Sequence, residues 1–314
     1  MATDPIPRQE SAVRKRFTGI ALACLLALLP AHSTALEVAT QEAAAKDTPA
    51  DAETQTLLTA QRPIAAAQSW WLEELTSLEI RDLIAAGTTT VIIPTGGIEE
   101  NGPYLATGKH NLILESVCPA IAERLGNALC APIVKFVPQG DIDPPSGAMR
   151  FPGSISLSAE VYEGLLTDIA ASLRQAGFSD IVLIGDSGGN QAGMARVADQ
   201  LSRQWGDSAR IHFIREFYDP GWAATERYTE QELGVAETRH DGFHDDIWVT
   251  AMMMVADPNQ VRHQQRLEAG LASINGVSIA DLAATVELGQ KMIAFRANHA
   301  AQAIRTAIEA GASR

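Results

Sequence analysis

Short apolar runs alternate with longer amphipathic segments over most of the chain. Residues 89–94 and 180–184 are mostly apolar or β-branched and are bounded by Gly, Pro or polar residues, as buried strands are. Residues 210–217, which contain Ile and Phe among polar residues, are predicted to form a further strand. A further apolar run covers residues 131–137. Apolar positions at helical spacing predict helices at residues 77–86, 111–125, 161–173, 247–255 and 286–310.

The order of these segments indicates the fold class. A strand, a Gly-rich turn and a helix occur at residues 89–125 and again from residue 180 onward. Repetition of this unit is typical of an α/β fold with a mostly parallel sheet, flanked by helices on both faces. Ser77 is the expected N-cap of the first helix. The loop at 139–153 has the length and Gly/Pro content of loops that shape pockets, whereas residues 218–241 are polar and show no clear period.

The N-terminus has the pattern of a targeting segment. Arg14, Lys15 and Arg16 precede an apolar run and then small residues ending at Ala35. This predicts a signal peptide over residues 1–35, with a retained membrane anchor as the alternative. A polar, Ala-rich flexible leader is expected at 36–66 and the folded domain at 67–314. The mature protein would then be periplasmic or secreted, without a membrane partner.

Composition narrows the function classes. The chain has 314 residues, 46% of them hydrophobic, which is enough for a full core in one large domain or two small ones. A net charge of −14 argues against a nucleic-acid partner. Cys118 and Cys130 remain after signal cleavage, and they predict either one disulfide or two buried thiols.

Candidate metal ligands gather after the strands. Glu99 and His110 share a glycine-containing loop, and Asp186 follows the strand at 180–184. Residues 240–246 add two histidines and three aspartates. Histidine and carboxylate ligands without a thiolate suit Zn²⁺ or Mn²⁺, with Fe²⁺ as a further option.

Other interpretations of these residues stay open. Asp245 and Asp246 precede a predicted helix, where acidic residues are favoured as caps without further function. His240 fits an exposed loop histidine better than a ligand. The turn at 185–189 is compatible with an anion site or with Ser187 as a nucleophile, although no partner histidine can be assigned to that serine.

A family resemblance rests on four stretches of this sequence. These are Gly-Gly-Ile-Glu-Glu-Asn-Gly-Pro-Tyr-Leu-Ala-Thr-Gly-Lys-His at 96–110, Phe-Pro-Gly-Ser-Ile-Ser at 151–156, Gly-Asp-Ser-Gly-Gly-Asn at 185–190, and His244 shortly before Thr-Ala-Met at 250–252. Together they resemble the creatininase (creatinine amidohydrolase) family. The resemblance implies an α/β fold with a mostly parallel sheet and a two-metal site at the carboxyl ends of its strands. It also implies hydrolysis of small amides and a homo-oligomer, with a hexamer as the family precedent.

The chain departs from the family pattern at the implied ligands. Glu99 and His244 keep the family residues. Asn101 stands where a histidine is usual, His110 where a bridging aspartate is usual, and Ser187 where a second histidine is usual; Val249 replaces a glutamate. Either the metals have been lost, or the site has been rebuilt from new donors.

We predict a rebuilt site that holds one or two divalent ions. Its predicted ligands are Glu99, His110, Asp186, His244 and Asp246. Asn101 is expected to orient substrate or water, and Glu100 and Asp245 are the carboxylates available as general base.

The predicted function is a secreted, metal-dependent hydrolase. Its substrate is expected to be a small amide, cyclic amide or lactone, and creatinine itself is disfavoured because the departures fall on the groups that would bind it. The alternative is a non-catalytic periplasmic protein that binds a small ligand on the same fold. Four tryptophans are candidates to line a pocket, with burial in the core as the default: Trp70, Trp71, Trp222 and Trp248.

Overall fold

The computed structural model describes residues 52–240 and 242–312. The chain divides into two units between Thr59 and Ala60. The described part of the first unit is helix α1 (Ala52–Thr59), which buries none of its residues. The predicted signal peptide lies outside the described residues. The predicted leader is described from residue 52 onward, and it contains this helix.

A four-stranded parallel sheet organises the second unit, in the order β2-β1-β3-β4. Its strands are β1 (Thr90–Thr95), β2 (Ala128–Cys130), β3 (Asp180–Gly185) and β4 (Arg210–Phe213). The central pair, β1 and β3, is in register along its whole length and is buried throughout. Its carboxyl ends therefore open at the same edge of the sheet. A separate two-stranded ribbon joins β5 (Ser273–Ile274) to β6 (Val277–Ser278).

Helices cover both faces of the sheet, as the sequence predicts. They are α2 (Ser77–Ala85), α3 (Lys109–Leu125), α4 (Ala159–Ala176), α5 (Gln191–Trp205), α6 (Gly221–Gln231), α7 (Ile247–Ala256), α8 (His263–Glu268) and α9 (Leu282–Ala312). Ile92 of β1 belongs to a core with α3, α7 and α9, whereas Val91 and Ile93 belong to a second core with α4 and α5. Alternate side chains of β1 thus face opposite helical layers.

Three local features were not predicted from the sequence. The strand next to β1 is Ala128–Cys130, just before the apolar run at 131–137. Thr76, rather than Ser77, caps α2, because its hydroxyl accepts from the Glu79 amide while the Glu79 carboxylate accepts from the Thr76 amide. The polar segment 218–241 contains α6, which buries Thr225 and Thr229 at a spacing of four residues.

Cys118 and Cys130 form a disulfide that joins α3 to β2, with the Cα atoms 6.2 Å apart. Both residues are fully buried. Of the two predicted states, the structure has the bridge. Among the described residues, no helix has both the length and the apolar content needed to span a bilayer.

Candidate active site

The candidate site lies at the carboxyl ends of β1 and β3. Glu99 follows β1, Asp186 is the first residue after β3, and His110 is in the first turn of α3. The loop after β1 is clamped by Asn111, which donates to the Gly97 carbonyl at 3.0 Å and accepts from the Gly97 amide at 3.2 Å. A β-carbon on Gly96 would collide with the same amide side chain, so glycine is needed for this close approach.

His110 joins the two carboxylates. Its Nε2 lies 2.7 Å from Glu99 Oε1 and its Nδ1 lies 2.8 Å from Asp186 Oδ2. A neutral imidazole has only one N–H donor, so both nitrogens donate only when the ring is protonated. The histidine therefore links two acidic groups that come from different strand ends, and it fixes their separation.

Two further buried cations flank this row. Arg296 of α9 places Nη2 2.9 Å from Asp186 Oδ1, and both side chains are at most 2% exposed. Its guanidinium lies over the Trp222 ring, 3.7 Å from the centroid. Lys109 places Nζ 3.6 Å from Glu99 Oε1 and donates to the His244 carbonyl at 3.4 Å. Lys109 and Arg296 thus stand at the two ends of the row, each beside one carboxylate.

These partners set the ionisation of the acids. Burial raises the pKa of Glu99, but the hydrogen bond and charge of His110, together with Lys109, outweigh it and lower that pKa to about 2. Burial likewise opposes ionisation of Asp186, yet Arg296 and His110 leave its pKa below the usual value. Burial lowers the pKa of Lys109 despite its acidic neighbours. Both carboxylates are ionised at neutral pH.

The row, apart from Arg296, forms one wall of a cavity of about 440 Å³. Glu99, Lys109, His110, Asp186, His244 and Asp246 all line it. Tyr218, Trp222 and Trp248 supply an aromatic side, and the rings of the two tryptophans lie 4.6 Å apart. His244 has a backbone φ of 56°, the left-handed region that side chains other than glycine rarely adopt. Strain of this kind gathers at functional positions.

The structure brings all five predicted metal ligands to this cavity. The three residues predicted to be catalytic do not line this cavity: Glu100, Asn101 and Asp245. Asn101 is buried and donates to the Glu99 carbonyl at 2.9 Å. Asp245 is buried beside a different cavity, next to Tyr104. Trp222 and Trp248 line the main cavity, whereas Trp70 and Trp71 do not.

Lys109 and Arg296 were not predicted from the sequence to belong to the site. Arg296 did leave a signal, because it continues an apolar stripe of α9 with residues four apart: Met292, Arg296, Ala300 and Ile304. A charged residue on a buried stripe indicates a buried partner. For Lys109, the only signal in the sequence is its position next to His110.

The geometry of the row does not fit a metal cage. Neighbouring donor atoms around one ion stand roughly 3.4 Å apart when the bonds are about 2.1 Å and the angles tetrahedral. The contacts of His110, at 2.7 and 2.8 Å, are instead hydrogen bonds on both ring nitrogens. Arg296 and Lys109 already supply the positive charge that the two carboxylates need. We therefore derive no reaction step from a metal held by this row.

Comparison with known proteins places the chain in a family. The model of the family described as "Creatininase: Creatinine amidohydrolase" matches residues 73–304. This chain belongs to the creatininase family. The fold is accordingly the hydrolase fold that the sequence resemblance implies.

Two curated relatives are similar over part of their length. A creatinine amidohydrolase of Pseudomonas putida is 30% identical over 118 residues, which cover 38% of this chain and 45% of the relative. A mycofactocin precursor peptide peptidase of Mycolicibacterium smegmatis is 27% identical over 126 residues, covering 38% and 48%. The chain thus spans about half the length of the curated relatives that it matches.

Solved creatininases share the fold. One creatinine amidohydrolase structure superposes with a TM-score of 0.56 at 20% identity, covering 76% of this chain and 97% of that chain. A mutant creatininase described as Zn–Zn type and a creatininase described as the Mn form each give a TM-score of 0.56 at 21% identity, covering 76% and 98%. The metals belong to those proteins, and the likeness shows the fold of this one.

Proposed function

We propose that this chain is a secreted hydrolase that cleaves the C–N bond of a small amide or cyclic amide, or the ester bond of a lactone. The observation that carries the proposal is the buried row from Lys109 through Glu99, His110 and Asp186 to Arg296, in a creatininase-family fold. All of these residues except Arg296 line one cavity. Oriented charges in a site shielded from water stabilise charge that develops during acyl transfer.

The cavity supports a small, partly polar substrate. A volume of about 440 Å³ is near the lower end of the range of ligand pockets. The side formed by Trp222 and Trp248 can pack against the flat face of an amide or a ring, while the charged wall binds its polar edge. This division between an apolar and a charged side orients the carbonyl group toward the cations.

Lys109 is the group best placed to stabilise the carbonyl oxygen. An ammonium has three N–H donors, and two of them face Glu99 and the His244 carbonyl. The third is available to an oxygen that gains negative charge as water attacks the carbonyl carbon. Glu99 is ionised at neutral pH, so it acts by holding Lys109 and His110 in place rather than by donating a proton.

A proton must also leave the attacking water. His244 lines the cavity and is the residue type that most often serves as general base. The proton accepted from water then passes to the departing nitrogen or alkoxide, which completes hydrolysis of the bond. The dependence on Zn²⁺ or Mn²⁺ remains a prediction, supported by the two relatives described as Zn–Zn and Mn forms.

A substrate panel tests this function. The purified full-length chain, with and without added Zn²⁺ or Mn²⁺, is incubated with formamides, linear amides, cyclic amides and lactones, and products are separated by chromatography. We expect turnover of at least one class, its loss in Glu99→Gln, and its retention in Glu115→Gln. Glu115 is the matched control because it is an exposed glutamate on α3.

One observation favours the alternative, a protein that binds a small ligand without turning it over. Each carboxylate of the row already has a cationic partner within the chain, as in a site whose charges are satisfied before any ligand arrives. Thermal stabilisation by a panel compound, without product under any metal condition, would decide for binding. Product formation that depends on Glu99 would decide for the hydrolase.

A further inference from the structure

We infer a divalent-metal site formed by Glu237, His240 and Asp246, on the segment that leads into α7. Among the described residues, these three form the group of His, Cys, Asp or Glu side chains whose donor atoms all lie within 4.8 Å of one another. Glu237 and His240 do not stand at any family ligand position. Asp246 was predicted to bind a metal together with a different set of ligands: Glu99, His110, Asp186 and His244. The inference concerns ion binding alone, so it stands or falls independently of turnover.

The separations of the donor atoms have the size that a bound ion requires. His240 Nδ1 lies 3.3 Å from Asp246 Oδ1 and 3.5 Å from Glu237 Oε2. Metal bonds of about 2.1 Å at tetrahedral angles give roughly 3.4 Å between donors. A charged hydrogen bond would draw the same atoms to about 2.7–2.9 Å. His110 shows that shorter distance on both of its nitrogens, so the two histidines have different environments.

Buried donors hold the two carboxylates in position. Glu237 Oε1 accepts from the Ile247 amide at 2.6 Å and from Asn275 Nδ2 at 3.2 Å. The same Asn275 nitrogen lies 3.3 Å from Asp246 Oδ1. Outer contacts of this kind orient metal ligands. They leave Glu237 Oε2 directed toward His240.

The turn that contains Asn275 fixes the position of its side chain. It is 5% exposed, has a φ of 49° in the turn between β5 and β6, and its carbonyl accepts from the Thr238 amide at 3.0 Å. The ribbon therefore fixes the amide that contacts both acids. The side chain of Glu237 is only 5% exposed, whereas that of His240 is 58% exposed. An ion here would be reached from solvent on the histidine side.

The charge and chemistry of the three ligands identify the class of ion. Two carboxylates carry two negative charges, and a neutral imidazole, the form that binds a metal, carries none, so a divalent cation balances the three ligands. One imidazole and two carboxylates suit Zn²⁺ or Mn²⁺ better than Ca²⁺ or Mg²⁺, which prefer oxygen ligands alone. Three protein ligands leave a coordination position for water. Asp246 also lines the main cavity, which puts the ion at the edge of the proposed active site.

Metal titration of the tag-free, full-length chain tests the inference. After treatment with a chelator, Zn²⁺ and Mn²⁺ binding is measured by calorimetry, and bound metal is counted by elemental analysis. We expect about one ion per chain. His240→Ala and Glu237→Gln should each raise Kd by at least about tenfold, the scale reached when even an outer contact is lost.

The controls separate this site from the buried row. His299→Ala, at an exposed histidine of α9, should bind as the wild type does. His110→Ala should keep its ion, provided that its circular dichroism shows a folded chain. Binding that survives in His240→Ala but disappears in folded His110→Ala would overturn the inference, and so would a wild-type chain that binds neither ion. Either result leaves the substrate panel free to succeed or fail separately.

Discussion

The guanidinium of Arg296 lies 2.9 Å from the carboxylate of Asp186, and neither side chain is more than 2% exposed. The two residues are 110 positions apart, one in the last helix and one at the end of a central strand. Burying both charges is costly unless each keeps its partner. This ion pair therefore ties the C-terminal helix to the candidate active site.

Removing the arginine should destabilise the fold. Arg296→Met leaves Asp186 buried with a single partner, and loss of one member of a buried pair costs about 3 to 5 kcal/mol. Urea unfolding followed by circular dichroism measures the change. Arg215→Met is the matched control, because Arg215 pairs with Asp219 on the surface, and its effect should be close to nothing. Equal effects of the two substitutions would refute the structural role of Arg296.

The disulfide offers a second test of stability. The Cys118–Cys130 bridge joins two residues that are 12 positions apart in the sequence. Reducing it should lower the free energy of unfolding by about 3 kcal/mol. Unfolding with and without a reducing agent gives the value, and Cys118→Ala with Cys130→Ala should be insensitive to the reductant. An unreduced wild type that unfolds at the same urea concentration as the double variant would contradict the expectation.

Acid stability should depend on Asp180. Burial raises the pKa of this carboxyl, but hydrogen bonds from His212 at 2.9 Å and from Arg210 outweigh it and lower the pKa to about 2. A folded pKa below the unfolded value contributes stability above the unfolded pKa, on the order of 2 kcal/mol, and that contribution disappears as pH falls toward the folded value. The loss should occur between about pH 5 and pH 2.

Asp180→Asn removes the titrating group and so tests this assignment. The free energy of unfolding, measured from pH 6 to pH 2.5, should fall less steeply for the variant than for the wild type. The variant should also start from a lower value at pH 6, because Arg210 and His212 lose the carboxylate that they contact. Parallel pH curves for the two proteins would assign the acid sensitivity to other carboxyls.

Local sequence signals predicted the layered fold because they depend on near neighbours. The apolar runs that form β1 and β3 are bounded by turn residues, and apolar positions at helical spacing identify α2 and α4. Helix α6 was missed because it buries threonines rather than large apolar residues. Three-residue β2 is defined by its pairing with β1, and its own sequence shows no period.

The site was only partly visible in the sequence. Glu99, His110 and Asp186 lie in or next to glycine-rich loops that resemble a family motif, so the sequence identified them. Their cations were not, because Arg296 reaches Asp186 from a helix whose place in the fold no local pattern specifies. The distances from His110 to the two carboxylates also follow from tertiary packing. These distances are what distinguishes a hydrogen-bonded row from a set of metal ligands.

The central claim is that the row through His110 is the hydrolytic centre. It is tested most directly by kcat/KM of His110→Gln on the substrate that the panel identifies, with melting temperature as the check on folding. Loss of the imidazole that contacts both carboxylates should reduce kcat/KM by about 100-fold or more, while Glu115→Gln stays at the wild-type value. A folded His110→Gln enzyme with wild-type kcat/KM would contradict the account.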